Sequence, residues 1–281
     1  MSAHAAYEMR GPSALSGGTR RFLHLTRTLA VTDFKLRFFD SILGYLWTLM
    51  RPLMLFGVLY LVFNEVVRIG SDVRFYPVIL LSGMILYFYF SEATSRSVVC
   101  VVDNENLVRK IHFPRLAIPL STVGTVSLQL GLNLVVLFFF MLISGVHPTV
   151  RWLELPVILL PLLVVTVGVA MLVSALYVIA RDVSPIWEVV TQALFYVTPV
   201  LYPIELLARR SETLAHLAMM NPLATVIQQA RHALIDPHAE SAGTAIGGPA
   251  WLAVPAAITV GVFALGFLVF NRMAPRIAEE L

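Results

Sequence analysis

Lysine occurs only at Lys35 and Lys110, cysteine only at Cys100, and charged residues make up 13% of the chain. A soluble globular domain carries about 25% charged residues, so the shortage excludes a conventional water-soluble fold. A single cysteine allows neither an internal disulfide nor a C-x-x-C metal or redox pair, and Cys100 reads as inert packing. Equally absent are the G-x-x-x-x-G-K-[ST] phosphate loop, the H-E-x-x-H zinc helix and the G-x-S-x-G nucleophile elbow. The histidines, at 4, 24, 112, 147, 216, 232 and 238, have no ligand spacing. No internal repeat supports an inverted-repeat secondary transporter. Residues 1–20 hold no apolar stretch, so no secretory signal is expected. The sequence therefore predicts no catalytic residues, no metal and no cofactor on this chain.

What fills the space is apolar: 58% of residues are hydrophobic and the mean hydropathy is +0.81. The pattern predicts an all-α polytopic membrane protein, with about six spans at Leu46–Val67, Tyr76–Val101, Leu116–Val146, Pro156–Ala180, Ile186–Tyr202 and Ala250–Phe270. The fifth is marginal in length. Residues 1–20 read as a flexible tail, 21–45 as an amphipathic helix in the interface, 46–270 as the membrane domain and 271–281 as a second tail. Val31, Phe34, Phe38, Ile42 and Tyr45 form the apolar ladder of the interfacial helix, opposite Asp33, Arg37 and Asp40, with Thr32 as its expected N-cap.

The pI near 9.2 would suggest nucleic acid in a soluble protein, but here basic residues flank spans and set orientation instead. Arg20, Arg21, Arg27, Lys35, Arg37, Arg109, Lys110, Arg115, Arg181, Arg272 and Arg276 fall on one side, and Arg68, Arg74, Arg151, Arg209, Arg210 and Arg231 on the other. The richer side is expected to be cytosolic, with both termini on it, in the plasma membrane of a bacterium.

Three regions carry candidate function. The loop 103–115 is polar and basic, with a capping-competent start, a short helical run and a proline stop. It reads as a rigid cytosolic knob, and Asn106, Leu107, Arg109, Lys110, Ile111, Phe113 and Arg115 are its expected contacts with an ATPase partner. Region 203–249 holds two apolar stretches too short to span, separated by Asn221-Pro222. They read as re-entrant helices at the outer face, gated by Pro203, Asn221, Pro222 and Arg231. Within the spans, Glu92 and Arg96 lie one turn apart and can pair, either toward an interior cavity or as a snorkelling pair. Gln129 and Asn133 are expected to bond between helices. Tyr87, Tyr89, Phe195, Tyr196 and Tyr202 are candidate pore-lining rings, because sugar C–H faces pack on aromatic faces.

The stretch Asp33 to Leu53, with its Ser41-Ile-Leu-Gly-Tyr-Leu-Trp47 element, resembles the opening of the ABC-2 permease family, specifically its polysaccharide exporters. Asn106 to Arg115, Arg181-Asp182, Thr198-Pro-Val-Leu-Tyr-Pro203 and Asn221-Pro222 with Arg231 are similar to later landmarks of that family, in order. The resemblance implies a permease subunit that forms a homodimer and pairs with two ATP-binding-cassette subunits, which hold the ATP and Mg²⁺. Its implied cargo is a polyprenyl-diphosphate-linked glycan such as an O-antigen, galactan or teichoic acid, carried to the outer face. Lys35, Arg37, Phe38, Tyr45, Trp47 and Arg51 would then meet substrate arriving from the interface. Phe38-Phe39 departs from the more polar residues of many relatives. Rival readings are an ABC-2 exporter of a small lipid or drug, an ion-driven carrier using Glu92, and a membrane glycosyltransferase using Glu205, Glu212 or Asp236.

Overall fold

The computed structural model describes residues 19–39, 44–66, 73–108 and 113–274, with the backbone alone at 19, 38–39, 44–49 and 51. The expected tails, and Arg109, Lys110 and Ile111 of the knob, fall wholly or mainly outside those residues. So do the side chains of Phe38, Tyr45, Trp47 and Arg51.

Every element among the described residues is helical. α1 (Thr19–Phe39) is followed by α2 (Gly44–Leu61), which a π turn extends to Val66. α3 (Tyr76–Asp103) leads to the short α4 (Glu105–Val108) and then to α5 (Ala117–Ile143). A 3-10 turn, Val150–Glu154, opens α6 (Leu155–Ile179), and α7 (Val183–Val197) follows after a short turn. Next come α8 (Ile204–Arg210), α9 (Glu212–Met219), α10 (Pro222–Ala230, with a π turn to Ile235) and α11 (Ala242–Ala245). A 3-10 turn, Pro249–Leu252, begins α12 (Ala253–Met273).

Four helical stretches are long and apolar enough to cross a bilayer: α3, α5, α6 with its turn, and α12. Of the other two expected spans, Leu46–Val67 lies on α2 with its π turn, and the fifth is a helix shorter than expected. α7 stops at Val197 instead of Tyr202, because Thr198 precedes Pro199 and takes an extended ψ of 136°. A residue before proline is pushed out of the helical region in just this way. The Thr32 cap is a second correction. α1 begins at Thr19 and runs through Thr32, and its buried face starts earlier than the expected ladder, with Phe22 and Ala30 against α5.

α3 is the central post. Buried Tyr76, Leu80, Met84, Tyr87 and Phe90 sit in the main cluster with residues of α5, α6 and α10. Its first turn is tied across the bundle by the Tyr76 hydroxyl, which donates to the Leu201 carbonyl at 2.8 Å. On the side facing α1, a second cluster joins Phe22, Cys100, Val108, Phe113, Ile118 and Phe270. On the opposite side Ile204, Ala215, Met219, Ala224 and Ile246 form a third, under α8–α11.

α12 packs chiefly on α6, and glycine sets the distance. A Cβ on Gly266 would stand 2.0 Å from the Gly168 carbonyl oxygen, and one on Gly168 would stand 2.6 Å from the Phe263 Cα. Small residues let helix backbones approach closely where lipid competes with every apolar contact.

Candidate transport wall and gate

Several polar groups of α3 lie along one incompletely covered stripe. Phe88, Ser91, Glu92, Arg96 and Val99 are half-buried and Ser95 is exposed, and steps of three and four place them on one flank of the helix. Glu92 sits about 4 Å past the midpoint of α3, at a rise of ~1.5 Å per residue. A charge at that depth is costly unless it meets a partner or water.

The expected Glu92–Arg96 pair forms, through Arg96 Nη2 and Glu92 Oε1. Gln129 of α5 adds a hydrogen bond, its Nε2 donating to Glu92 Oε2 at 3.1 Å. Gln129 is thus a bond between helices, as its position suggested. Arg96 Nη1 is buried with no hydrogen-bond partner among the described residues. Leaving such a donor unpaired costs about 1–3 kcal/mol. An acceptor from outside this subunit would remove that cost.

α7 lies alongside α3 and runs the opposite way. The Trp187 indole donates to Thr94 Oγ1 at 3.1 Å, the Tyr87 hydroxyl donates to the Thr191 carbonyl, and the Phe88 and Phe195 rings stack with centroids 5.8 Å apart. Only Thr191 of α7 is buried. Glu188 and Gln192, one turn apart, are both exposed, as is Tyr196. Two uncovered polar stripes therefore face the same open side of the subunit.

This arrangement revises the aromatic candidates. Tyr87 and Tyr89 are 2% and 4% exposed, and their hydroxyls are spent inside the bundle, Tyr89 against Ser127 Oγ at 2.9 Å. They brace α3 and line no passage. Phe195 and Tyr202 are half-buried and Tyr196 is exposed. Phe88, stacked on Phe195, was visible in the Tyr87 to Phe90 run, but nothing in the sequence set it apart from its neighbours.

The gate region is tightly built. α10 buries Pro222, Leu223, Val226, Ile227 and Gln228, which excludes a surface loop. Asn221 caps it, its Oδ1 accepting from the Leu223 amide at 3.0 Å, while its Nδ2 donates to Thr198 Oγ1 at 2.9 Å. One side chain thus starts the gate helix and ties it to the end of α7. Arg231, 7% exposed, donates to Glu205 Oε2 at 2.7 Å, locking the end of α10 to α8. Pro203 directly precedes α8. Glu205 is thereby a structural partner, a role its isolated position in the sequence did not reveal.

The knob departs from expectation in two residues. Phe113 and Arg115 are 9% and 2% exposed and offer little surface to a partner; Phe113 packs in the cluster near α1. Asn106 is exposed and Leu107 half-buried on α4. Asn104 does not use its side chain to start α4. Its Nδ2 donates to the Cys100 carbonyl at 2.9 Å and closes the end of α3. Lys35 and Arg37 are exposed on α1. Among the described residues no cluster of His, Cys, Asp and Glu could hold a metal ion.

A model of the family described as ABC-2 type transporter matches residues 24–235, more than half of the chain. Among curated relatives, an O-antigen export system permease protein RfbA from Klebsiella pneumoniae is 27% identical over 89% of this chain and 92% of its own length. An RfbA from Myxococcus xanthus is 28% identical over 71% and 76%. The polysialic acid transport protein KpsM of Escherichia coli is 23% identical over 74% and 80%.

Proposed function

The chain belongs to the ABC-2 type transporter family, and from that premise we propose that it is the permease subunit of an ATP-driven exporter of lipid-linked polysaccharide. It is a transport subunit and not itself an enzyme. Relatives named for O-antigen export and polysialic acid transport support a glycan cargo. A polyprenyl-diphosphate carrier fits a passage that opens beside lipid.

One observation carries the mechanism: Ser95 of α3 and Glu188 and Gln192 of α7 are exposed, and Ser91, Glu92 and Arg96 of α3 only half-buried, at the depth of the bilayer interior. Hydrocarbon would penalise that surface, and a water-filled passage would not. A second copy, related by a two-fold axis, would face the same stripes inward and close the passage. α2 with its π turn and α7 would complete six crossings per subunit, both termini being cytosolic in the bacterial inner membrane.

Phe88 and Phe195 offer a stacked aromatic ledge beside the polar stripe, suited to the C–H faces of successive sugars. Hydroxyls and the Glu92–Arg96 pair offer exchangeable hydrogen bonds, so a repetitive polymer can slide without falling into one deep well. Force would come from a separate ATPase that closes around the α4 knob through Asn106 and Leu107, with the basic run 109–110 beside them. Because the buried Phe113 roots the knob in the cluster near α1 and Asn104 closes α3, its displacement would move α3 with it. Partner closure can shift the transporter only if it favours one arrangement of this joint over another.

Depletion of the protein decides the matter. The expected result is a lipid-linked glycan accumulating on the cytosolic leaflet while surface polymer disappears, reversed by the parent chain and not by Leu107→Glu. Undiminished surface polymer after depletion would overturn the proposal.

A further inference from the structure

A groove unrelated to the polar wall lies on the other flank of the gate helix. It has a volume of about 370 Å³ and runs between the start of α6, the exposed edge of α10 and the start of α12. That is within the ~300–1,000 Å³ range of small-molecule sites. Its floor and walls include Val157, Ile158 and Pro161 of α6, Val226 of α10, and Pro255 and Ala256 of α12.

Three features define what the groove accepts. The first is depth. From Glu154 to Pro161 the lining descends about 10 Å along α6 at ~1.5 Å per residue, most of one leaflet of a ~30 Å hydrocarbon core. Trp251, 53% exposed, stands just ahead of α12, at the level where tryptophan favours the headgroups.

The second is direction. Val157 and Ala256 are exposed at the mouth, flanked by the bare apolar residues Leu160 and Ile258. The groove therefore opens sideways into lipid.

The third is chemistry. The hydroxyls in the lining are already used within the protein. Thr225 Oγ1 donates to the Asn221 and Met219 carbonyls, both at 3.0 Å, Thr259 Oγ1 donates to the Pro255 carbonyl at 2.8 Å, and Gln229 Oε1 accepts from the Ala242 amide at 3.2 Å. The rest of the lining is mainly apolar. The one charged residue lining it is Glu154, exposed at the headgroup end. Arg151, one turn earlier, is turned to His232 Nε2 at 3.0 Å.

We propose that this groove seats one acyl tail of a bilayer phospholipid whose amine headgroup lies against Glu154, and that the tail wedges α10 against α6 and α12. An anionic carboxylate at the mouth selects an ammonium-bearing headgroup and repels a diphosphate. The occupant is therefore a resident lipid of the leaflet on the α10 side and not the transported carrier. An empty groove would leave α10 without packing on this edge, so the lipid stiffens the gate helix from outside the passage.

The test places the full-length chain in nanodiscs of mixed phosphatidylethanolamine and phosphatidylglycerol. A trace of phosphatidylethanolamine with a diazirine in its tail is included, and labelled peptides are mapped after irradiation. Label is expected in 155–161 and 253–259. Ala256→Trp, which fills the mouth, should lower it about tenfold, the equivalent of losing roughly two buried methylenes. Leu265→Trp, on the lipid face away from the groove, should leave it unchanged.

Val157→Trp fills the same mouth from α6 and serves if Ala256→Trp elutes as aggregate. Glu154→Lys should reverse the headgroup preference when the matching phosphatidylglycerol probe is used. Three results would each overturn the proposal: unchanged labelling in both tryptophan variants, labelling of these peptides only by a diazirine polyprenyl phosphate, or disulfide crosslinking of Ala256→Cys between two copies.

Discussion

α3 and α12 are both long enough to cross a bilayer, yet the less apolar of the two is the buried one. In α3, 78% of the most apolar stretch is buried, against 17% in α12. In water the hydrophobic effect would reverse that order. Lipid is as apolar as leucine, so apolar area gives little reason to prefer a neighbouring helix over the bilayer. What draws α3 inward is its polar groups that bond to other elements: the hydroxyls of Tyr76, Tyr87 and Tyr89 to Leu201, Thr191 and Ser127, and Glu92 to Gln129, partners that lipid does not offer. α12 lies at the edge, turning a narrow face with Thr259, Gly266 and Phe270 inward, and its bare Val260, Leu265 and Leu268 suit the hydrocarbon.

If close approach is what holds α12, Gly266→Leu should have the largest effect of any single change on that helix. Its side chain meets the Gly168 backbone, which cannot rotate away, and the loss should exceed the ~1–3 kcal/mol usual for overpacking. Thermal melting in detergent should show a collapsed transition, or no monodisperse protein. Gly261→Leu, where a Cβ meets nothing within 4 Å, should melt with the parent.

The ion pair is the corresponding test of α3. Glu92→Leu leaves the Arg96 guanidinium partly buried without its carboxylate and frees the Gln129 amide, and should cost about 2 kcal/mol. The double change Glu92→Leu with Arg96→Met should recover most of the melting temperature while export of polymer stays low. Recovery of both would mean that the pair serves folding alone.

A smaller effect is expected at the gate. Asn221→Ala removes the α10 cap and the link to Thr198, a loss of about 1 kcal/mol in stability. Hydrogen exchange should rise in 222–230 and remain unchanged in the middle of α3. Smallest of all, Leu268→Ala on the lipid face of α12 should shift the melting temperature little, within the ~0.5 kcal/mol typical of substitutions that leave no cavity.

Much of this was legible in the chain itself. The apolar runs placed the four long apolar helices α3, α5, α6 and α12, because a membrane's thickness imposes a length that sequence alone can meet. Glu92 and Arg96 declared themselves by spacing, and Asn221-Pro222 marked the break between two short apolar stretches. The aromatic candidates were less legible. Tyr87 and Phe88 are neighbours of the same chemical kind, and only the position of α7 decides that one is walled in and the other is left at the edge. Phe113 and Arg115 of the basic loop are buried, a placement that a proline-ended basic stretch does not encode.

The sequence by itself determined that this is a helical membrane protein, where its crossing segments lie, and that it carries none of the familiar enzyme motifs. Those follow from composition, run length and local caps, which act over a few residues. Tertiary structure alone decided which face of each helix is hidden, that Glu205 answers Arg231, and that two glycines almost a hundred positions apart let α6 and α12 touch. Such pairings depend on the order in which helices surround α3, and lipid, being indifferent to apolar faces, leaves that order to close packing and to the few polar groups that must meet.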